Sequence, residues 1–305
     1  MNDSYELRLV TKLLGITLKN PVIAASGTFG FGREYAQWMD VSRLGGISGK
    51  GLTLNGSPGN PGIRVWETPS GMLNSIGLEN PGVKHFIMEE CRIMRSFGPA
   101  VIANLGGHSE SDYIEGAELL NNADIDLLEL NISCPNVKAG GMAFGMEPEA
   151  AARITGLIKA RTRFPLIVKL TPSACDLAAV ATAVEAAGAD GISLVNTFLG
   201  MAIDVKARRA VFDNIYAGLS GPCIRPIALR MVHQVSKAVS IPVIGMGGIQ
   251  TAEDAVAFIM AGASAVQVGA ATFENPSAMT DIIDGLAAYC DKNGLKNISE
   301  IRGII

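Results

Sequence analysis

What the sequence lacks narrows its reading early. No apolar run approaches the roughly 20 residues that a membrane-spanning helix needs, and the opening MNDSYELRLVTKLL lacks the long apolar core of a secretion signal. The five cysteines, Cys91, Cys134, Cys175, Cys223 and Cys290, are odd in number, scattered and never spaced CxxC. Neither a disulfide framework nor a zinc or iron-sulfur site is indicated, and the pattern fits a reducing cytoplasm. No basic run is present and the net charge is -4, so nothing supplies the phosphate-neutralising stripe that nucleic-acid binding needs. No Pro- or Ser-rich linker divides the 305 residues, and the chain reads as one domain spanning 1–305. Two nucleotide fingerprints are also missing. GTFGFG has the wrong spacing for a dinucleotide-binding GxGxxG, and SGKG around Lys50 continues into Gly51 with its first glycine misplaced for a phosphate loop.

What is present is a repeating pattern. Eight short apolar runs, PVIAAS, GGISGKG, PAVIANL, DLLELN, PLIVKL, GISLVN, PVIGMGG and AVQVGA, alternate with helical periodicity or long loops. A domain of about 250 residues plus insertions with eight such runs fits the α/β class, as a (β/α)8 TIM barrel rather than an open doubly wound sheet. An internal echo supports this: EAAGADGISLVN and IMAGASAVQVGA share a helix end, Ala-Gly-Ala and a buried strand, with Gly188 and Gly262 as helix C-caps. Ahead of the first run, LRLVTKLLGITLKN reads as an N-terminal β-hairpin turning at Gly15, placed to plug the bottom of a barrel. Two connections, Thr53 to Pro81 and Phe198 to Ile224, are too long to be plain loops, and long loops at the C-terminal face of a barrel are usually functional. Met88, Met94 and Met231 fall on helical faces and read as core filling. His85, His108 and His233 lie away from strand ends and read as surface or satisfied histidines.

The strand ends place Ser26, Lys50, Asn104, Asn131, Lys169, Asn196, Gly247, Gly248 and Gly269 around one rim. Barrel interiors favour branched apolar residues, so two lysines and three asparagines there call for a polar, partly anionic, planar ligand. Lys169 suits either Schiff-base chemistry or a permanent charge beside an electron-rich cofactor. The loops GMGGIQTAEDA and VGAATFENP close strands seven and eight, the usual phosphate site of such barrels, with Gly247, Gly248, Gly269 and Ala270 offering backbone N–H groups. The stretch NISCPNVKAGGMAFG follows the fourth strand. It sets Cys134, the best nucleophile or base candidate, between Asn131 and Asn136, ahead of a Gly140-Gly141 pair that permits a mobile lid. NSIGLEN, Asn74 to Asn80, could close over a small polar ring.

These residues resemble the class 1 dihydroorotate dehydrogenases over nearly the whole chain. The carriers are ASGTFGFG, GKGLTLNGSPGNPGIRVWETPSGMLNSIGLEN, NISCPNVKAGGMAFG, VKLTP, LVNTF, LSGPCIRPIALRMV and IGMGGI. The lid sequence is similar to the subclass 1B form. That resemblance implies a barrel binding flavin mononucleotide (FMN) that oxidises dihydroorotate to orotate in pyrimidine biosynthesis, with Cys134 as catalytic base. It implies substrate contacts from Lys50, Asn74, Ser75, Ile76, Gly77, Leu78, Asn131, Asn136, Asn196 and Thr197. For the flavin it implies Ser26, Lys50, Gly51, Asn104, Asn131, Lys169, Val195, Gly221, Gly247, Gly248, Gly269 and Ala270. At Ala270 the family pattern leads one to expect threonine or serine, so a side-chain hydroxyl to the phosphate is missing. For partners it implies a homodimer core joined by a subunit carrying an iron-sulfur cluster and FAD, a heterotetramer that passes electrons to NAD, with no nucleic acid or membrane involved.

Overall fold

The computed structural model describes residues 7–133 and 141–305. The chain opens with a hairpin of β1 (Thr11–Leu13) and β2 (Ile16–Leu18). Leu14 and Gly15 both lie at positive φ, 50° and 85°, the two-residue turn whose twist matches its flanking strands.

Each of the eight apolar runs forms a strand: β3 (Val22–Ala24), β4 (Gly46–Leu52), β7 (Ala100–Leu105), β8 (Leu127–Asn131), β9 (Leu166–Lys169), β10 (Gly191–Leu194), β15 (Val243–Met246) and β16 (Ala265–Val268). They close into a barrel, all neighbours parallel and in chain order, with β16 returning to β3. Helices cover the outside, so these strands are buried on both faces and carry near-continuous apolar sequence. Local signals start the helices. Ser109 with Asp112, and Thr251 with Asp254, form capping boxes on Glu110–Leu120 and Ala252–Met260.

Inside the barrel the side chains are layered. At the bottom Ile23, Ile102, Leu127, Ile167, Ile244 and Ala265 meet Leu13 and Leu18 of the hairpin, which plugs this end as its sequence suggests. Two residues further along four of these strands, at Asn104, Glu129, Lys169 and Gln267, the lining turns polar, and that layer floors the site described below.

The two long connections form structure jointly. β5 (Val65–Thr68) and β6 (Gly71–Asn74) from the first pair with β11 (Phe198–Met201) and β14 (Tyr216–Ser220) from the second, in an antiparallel sheet ordered β11-β14-β6-β5. A small ladder, β12 (Ile203–Asp204) with β13 (Arg209–Ala210), extends the second insertion. Leu73, Val211, Phe212 and Ala217 give this sheet its own small core.

One core expectation is corrected. Met94 is buried, but Met88 is 62% exposed. Met88 lies in the π-helical turn Phe86–Glu90, whose wider winding changes the phase of the buried face relative to an α-helix.

The hairpin plug leads to a first test. Leu18→Ala removes a fully buried side chain at the barrel bottom and should lower unfolding free energy by about 2–5 kcal/mol, read from denaturant midpoints. A loss below about 1 kcal/mol would show that the plug is not part of the cooperative core.

Candidate active site

A cavity opens at the C-terminal ends of the barrel strands, the face at which barrels of this kind carry their ligand sites. Of the residues singled out in the sequence, Ser26, Lys169, Val195, Asn196, Thr197, Gly221, Gly247, Gly248, Gly269 and Ala270 line it.

One end of the cavity is built from backbone. Gly221, Gly247 and Gly248 sit at φ +105°, +128° and +75°, which side-chain-bearing residues rarely adopt. A Cβ on Gly248 would lie 2.7 Å from the Gly221 carbonyl, and one on Gly247 would lie 2.6 Å from Ala228 Cβ. The loops after β14 and β15 therefore approach each other more closely than side chains allow. Such a cradle suits an anion held by main-chain N–H groups. The hydroxyl absent at Ala270 has neighbours nearby: Thr28 lines the same cavity, and its side chain lies against Gly269.

The other end is polar and rests on the barrel's inner layer. Ser48, Asn104, Glu129, Lys169, Ser193 and Gln267, from six strands, are all buried there. Glu129 accepts hydrogen bonds from Ser48 Oγ (3.0 Å), Asn104 Nδ2 (2.6 Å), Ser193 Oγ (2.7 Å) and Gln267 Nε2 (2.8 Å). Burial pushes the Glu129 carboxyl up. The Lys169 charge and the bonds from Ser193, Gln267 and Asn104 outweigh that and hold it below the usual carboxylate value. Glu129 therefore carries its charge at neutral pH. Lys169 lies in the same buried layer as Glu129, whose charge it helps to stabilise.

Lys50 and Gly51 owe their placement to a β-bulge. The β4–β7 register runs Ser48↔Ile102 and then Gly51↔Asn104, one extra residue on β4, so Gly51 rather than Lys50 stands opposite Asn104. A Cβ at Gly51 would lie 3.0 Å from Asn104 Oδ1 and 3.4 Å from Leu78, which places the NSIGLEN segment over this part of the rim. Lys50 is half-buried. Desolvation draws its ammonium below the usual lysine value, partly countered by Glu79 and Glu34.

The 74–78 segment divides. Asn74 Nδ2 donates to the Gly218 carbonyl at 3.2 Å, and Thr197 packs against Gly218 from the rim. Ser75, by contrast, is buried within the insertion, where its hydroxyl accepts from Asn60 and Asn214. Leu78 takes φ 55°, unusual for a branched side chain and a mark of backbone held by its surroundings. Ile76 and Gly77 are tied to the first insertion through Asn60 N and Ser57 Oγ.

A relay of polar side chains runs to Ser133, the residue before Cys134. Asn196 Nδ2 donates to Ser133 Oγ at 2.9 Å, and Ser133 Oγ donates to Asn131 Oδ1 at 2.7 Å. Tyr113 holds the Asn131 carbonyl at 2.8 Å. Gly145 of the helix Gly141–Met146 packs against the Ile132 carbonyl, where a side chain would not fit. Cys134, Asn136 and Gly140 lie outside the described residues.

The sequence profile described as Dihydroorotate dehydrogenase matches residues 8–289. The chain belongs to the dihydroorotate dehydrogenase family. Curated relatives agree over nearly full length. A Petrotoga mobilis protein named "Dihydroorotate dehydrogenase B (NAD(+)), catalytic subunit" is 53% identical, covering 96% of this chain and 98% of its own. Relatives of the same name from Alkaliphilus metalliredigens and Thermoanaerobacter pseudethanolicus are each 50% identical, covering 98% and 97% of this chain.

Within this site the sequence pattern did not single out Glu129, its donors Ser48, Ser193 and Gln267, or Ser133. Strand alternation does place Glu129 on the face of Asn131, and Gln267 on the face of Gly269. That signal was available.

The glycine cradle gives a second test. Gly248→Ala should cost about 1–3 kcal/mol of stability, because it combines positive φ with a collision against the Gly221 carbonyl. A thermal midpoint equal to that of the parent would show that the two loops can part freely.

Proposed function

We propose that this protein oxidises dihydroorotate to orotate in pyrimidine biosynthesis, using FMN bound in the rim cavity. On this reading the electrons pass to NAD through a separate subunit carrying an iron-sulfur cluster and FAD. The observation that carries the reading is one cavity with a glycine cradle at one end and a buried cation at the other, beside the polar relay that runs to Ser133, the residue before Cys134. The names of the relatives support the substrate and the NAD link.

The residues present fit the flavin. The cradle of Gly221, Gly247 and Gly248 has the form of a phosphate site, and Gln267 Oε1 is a buried acceptor with no hydrogen-bond partner among the described residues, on a side chain that lines the cavity. When bound, FMN supplies the two-electron acceptor that takes the hydride from the substrate ring.

This chain's side chains would do the rest. Lys169 would set its side-chain nitrogen where negative charge arrives. Lys50, a partly desolvated ammonium, suits the substrate carboxylate, and Asn74, Asn131, Asn136, Asn196 and Thr197 suit the flat polar ring. Ser133 orients Asn131 and Asn196 together and fixes the backbone next to Cys134. Cys134, as thiolate, takes the proton from the carbon beside the ring carbonyl while the hydride leaves the adjacent carbon, so the ring gains a double bond. Exposed apolar side chains on the insertion sheet, Val65, Trp66, Leu199, Met201 and Tyr216, offer surface for subunit contact, in keeping with the proposed homodimer and electron-transfer partner.

The base is tested directly. Cys134→Ser should retain flavin and bind orotate, but its flavin should be reduced by dihydroorotate about 10²- to 10⁴-fold more slowly at neutral pH in stopped flow. An unchanged rate removes Cys134 from the mechanism.

The partner is tested by acceptor. The purified chain alone should turn over dihydroorotate with artificial acceptors yet reduce NAD poorly, because it carries neither a dinucleotide fingerprint nor clustered cysteines. Efficient NAD reduction by the chain alone would defeat the two-subunit reading, and efficient fumarate reduction would point to a self-sufficient subclass.

A further inference from the structure

Glu129 is a fully buried carboxylate at the centre of the barrel, and ligand contact does not explain it. Each of its oxygens takes two donors: Ser48 and Asn104 on Oε2, Ser193 and Gln267 on Oε1. An ionised carboxylate only accepts hydrogen bonds, so both amides must turn their NH2 groups toward it. Their oxygens then face the other way. Asn104 Oδ1 receives only a long contact from Asn131 Nδ2, 3.4 Å, and Gln267 Oε1 has no partner among the described residues although the side chain is 1% exposed. A buried acceptor left without a donor is costly, and this one belongs to a residue that lines the cavity. The polarity of the cavity floor is thus set by a residue of the same buried layer that does not line the cavity. Lys169, the cation assigned to the flavin, shares this layer, and the Glu129 charge acts on it.

We propose that Glu129 is a positioning residue for the cofactor. It turns the Gln267 acceptor toward the flavin and offsets the Lys169 charge, holding the flavin's reduction potential below the value that an uncompensated ammonium would give. The proposal rests on the flavin reading above. Burial of the carboxyl is outweighed by Lys169 and its donors, so the charge needed for this role is present at neutral pH.

The test is a redox titration of the full chain loaded with FMN, followed by absorbance, for wild type, Glu129→Gln and Ser193→Ala. Glu129→Gln removes the offsetting charge and should raise the two-electron potential by about 30 mV or more, a tenfold change in the reduction equilibrium. Ser193→Ala leaves the carboxylate charged but strips one donor from it, so its potential should fall. Opposite signs are not expected of a residue that merely packs the barrel. Glu129→Asp, which keeps the charge, should stay nearer wild type than Glu129→Gln. A yellow wild type whose potential is unmoved in both variants overturns the role of Glu129 and leaves the flavin reading standing. If Glu129→Gln retains no flavin, Ser193→Ala decides alone: a lowered potential supports the role, and an unchanged or raised one overturns it. A wild-type chain that takes up no FMN overturns the flavin reading and this role with it.

Discussion

A charged carboxylate at the centre of a barrel is the constraint on which the rest of the site depends. Desolvating such an ion costs several kcal/mol even after relaxation, and it is tolerated only where excellent partners surround it. Glu129 has four donors from four other strands and an ammonium in the same layer. Hydrogen bonds to charged groups contribute about 1.5–3 kcal/mol each, so four of them are on the scale of the penalty, whereas losing any one would leave a large imbalance. The requirement fixes side-chain identity on β4, β7, β8, β10 and β16 together, and it stiffens the floor of the cavity against which a flat ligand would lie. The apolar layer beneath, closed by the hairpin, keeps water from reaching the carboxylate from below.

The two ends of the cavity use different physics. At the glycine end the wall is backbone, because three residues at positive φ bring loops into contact that no side chain would permit. At the polar end the wall is made of side chains whose orientation is dictated by Glu129, which lies in the same buried layer without lining the cavity. Between the two, the relay from Asn196 through Ser133 to Asn131 ties the end of β10 to β8 just before Cys134 in the chain. The insertion sheet completes the rim by joining the two long connections, so that Asn74 reaches Gly218 and, beside it, Thr197.

Much of this was legible in the sequence, for physical reasons. Strands buried on both faces must be apolar and short, so all eight runs could be read, and their number specified the barrel. The hairpin was legible because Gly15 marks its turn. Glu129 was not, because a single acid in DLLELN looks like an interruption until Ser48, Asn104, Ser193 and Gln267 are known to face it from strands far away in the chain. The insertion sheet was hidden for a similar reason: its strands come from two segments more than a hundred residues apart, and only their antiparallel register reveals them. Ser75 illustrates the limit of reading a motif as a block, since its neighbour Asn74 reaches the rim while its own hydroxyl is committed to the insertion. Met88 failed as core filling because a π-turn shifted the helical phase, which periodicity at 3.6 residues does not anticipate.

The central claim is that the rim cavity holds a flavin which dihydroorotate reduces. The most direct measurement is anaerobic addition of dihydroorotate to the purified, FMN-loaded chain while its visible spectrum is followed. The account predicts a yellow protein with about one flavin per chain, bleached on mixing, with orotate formed in equal amount. A chain that binds no flavin, or whose bound flavin keeps its colour with excess dihydroorotate, would contradict it.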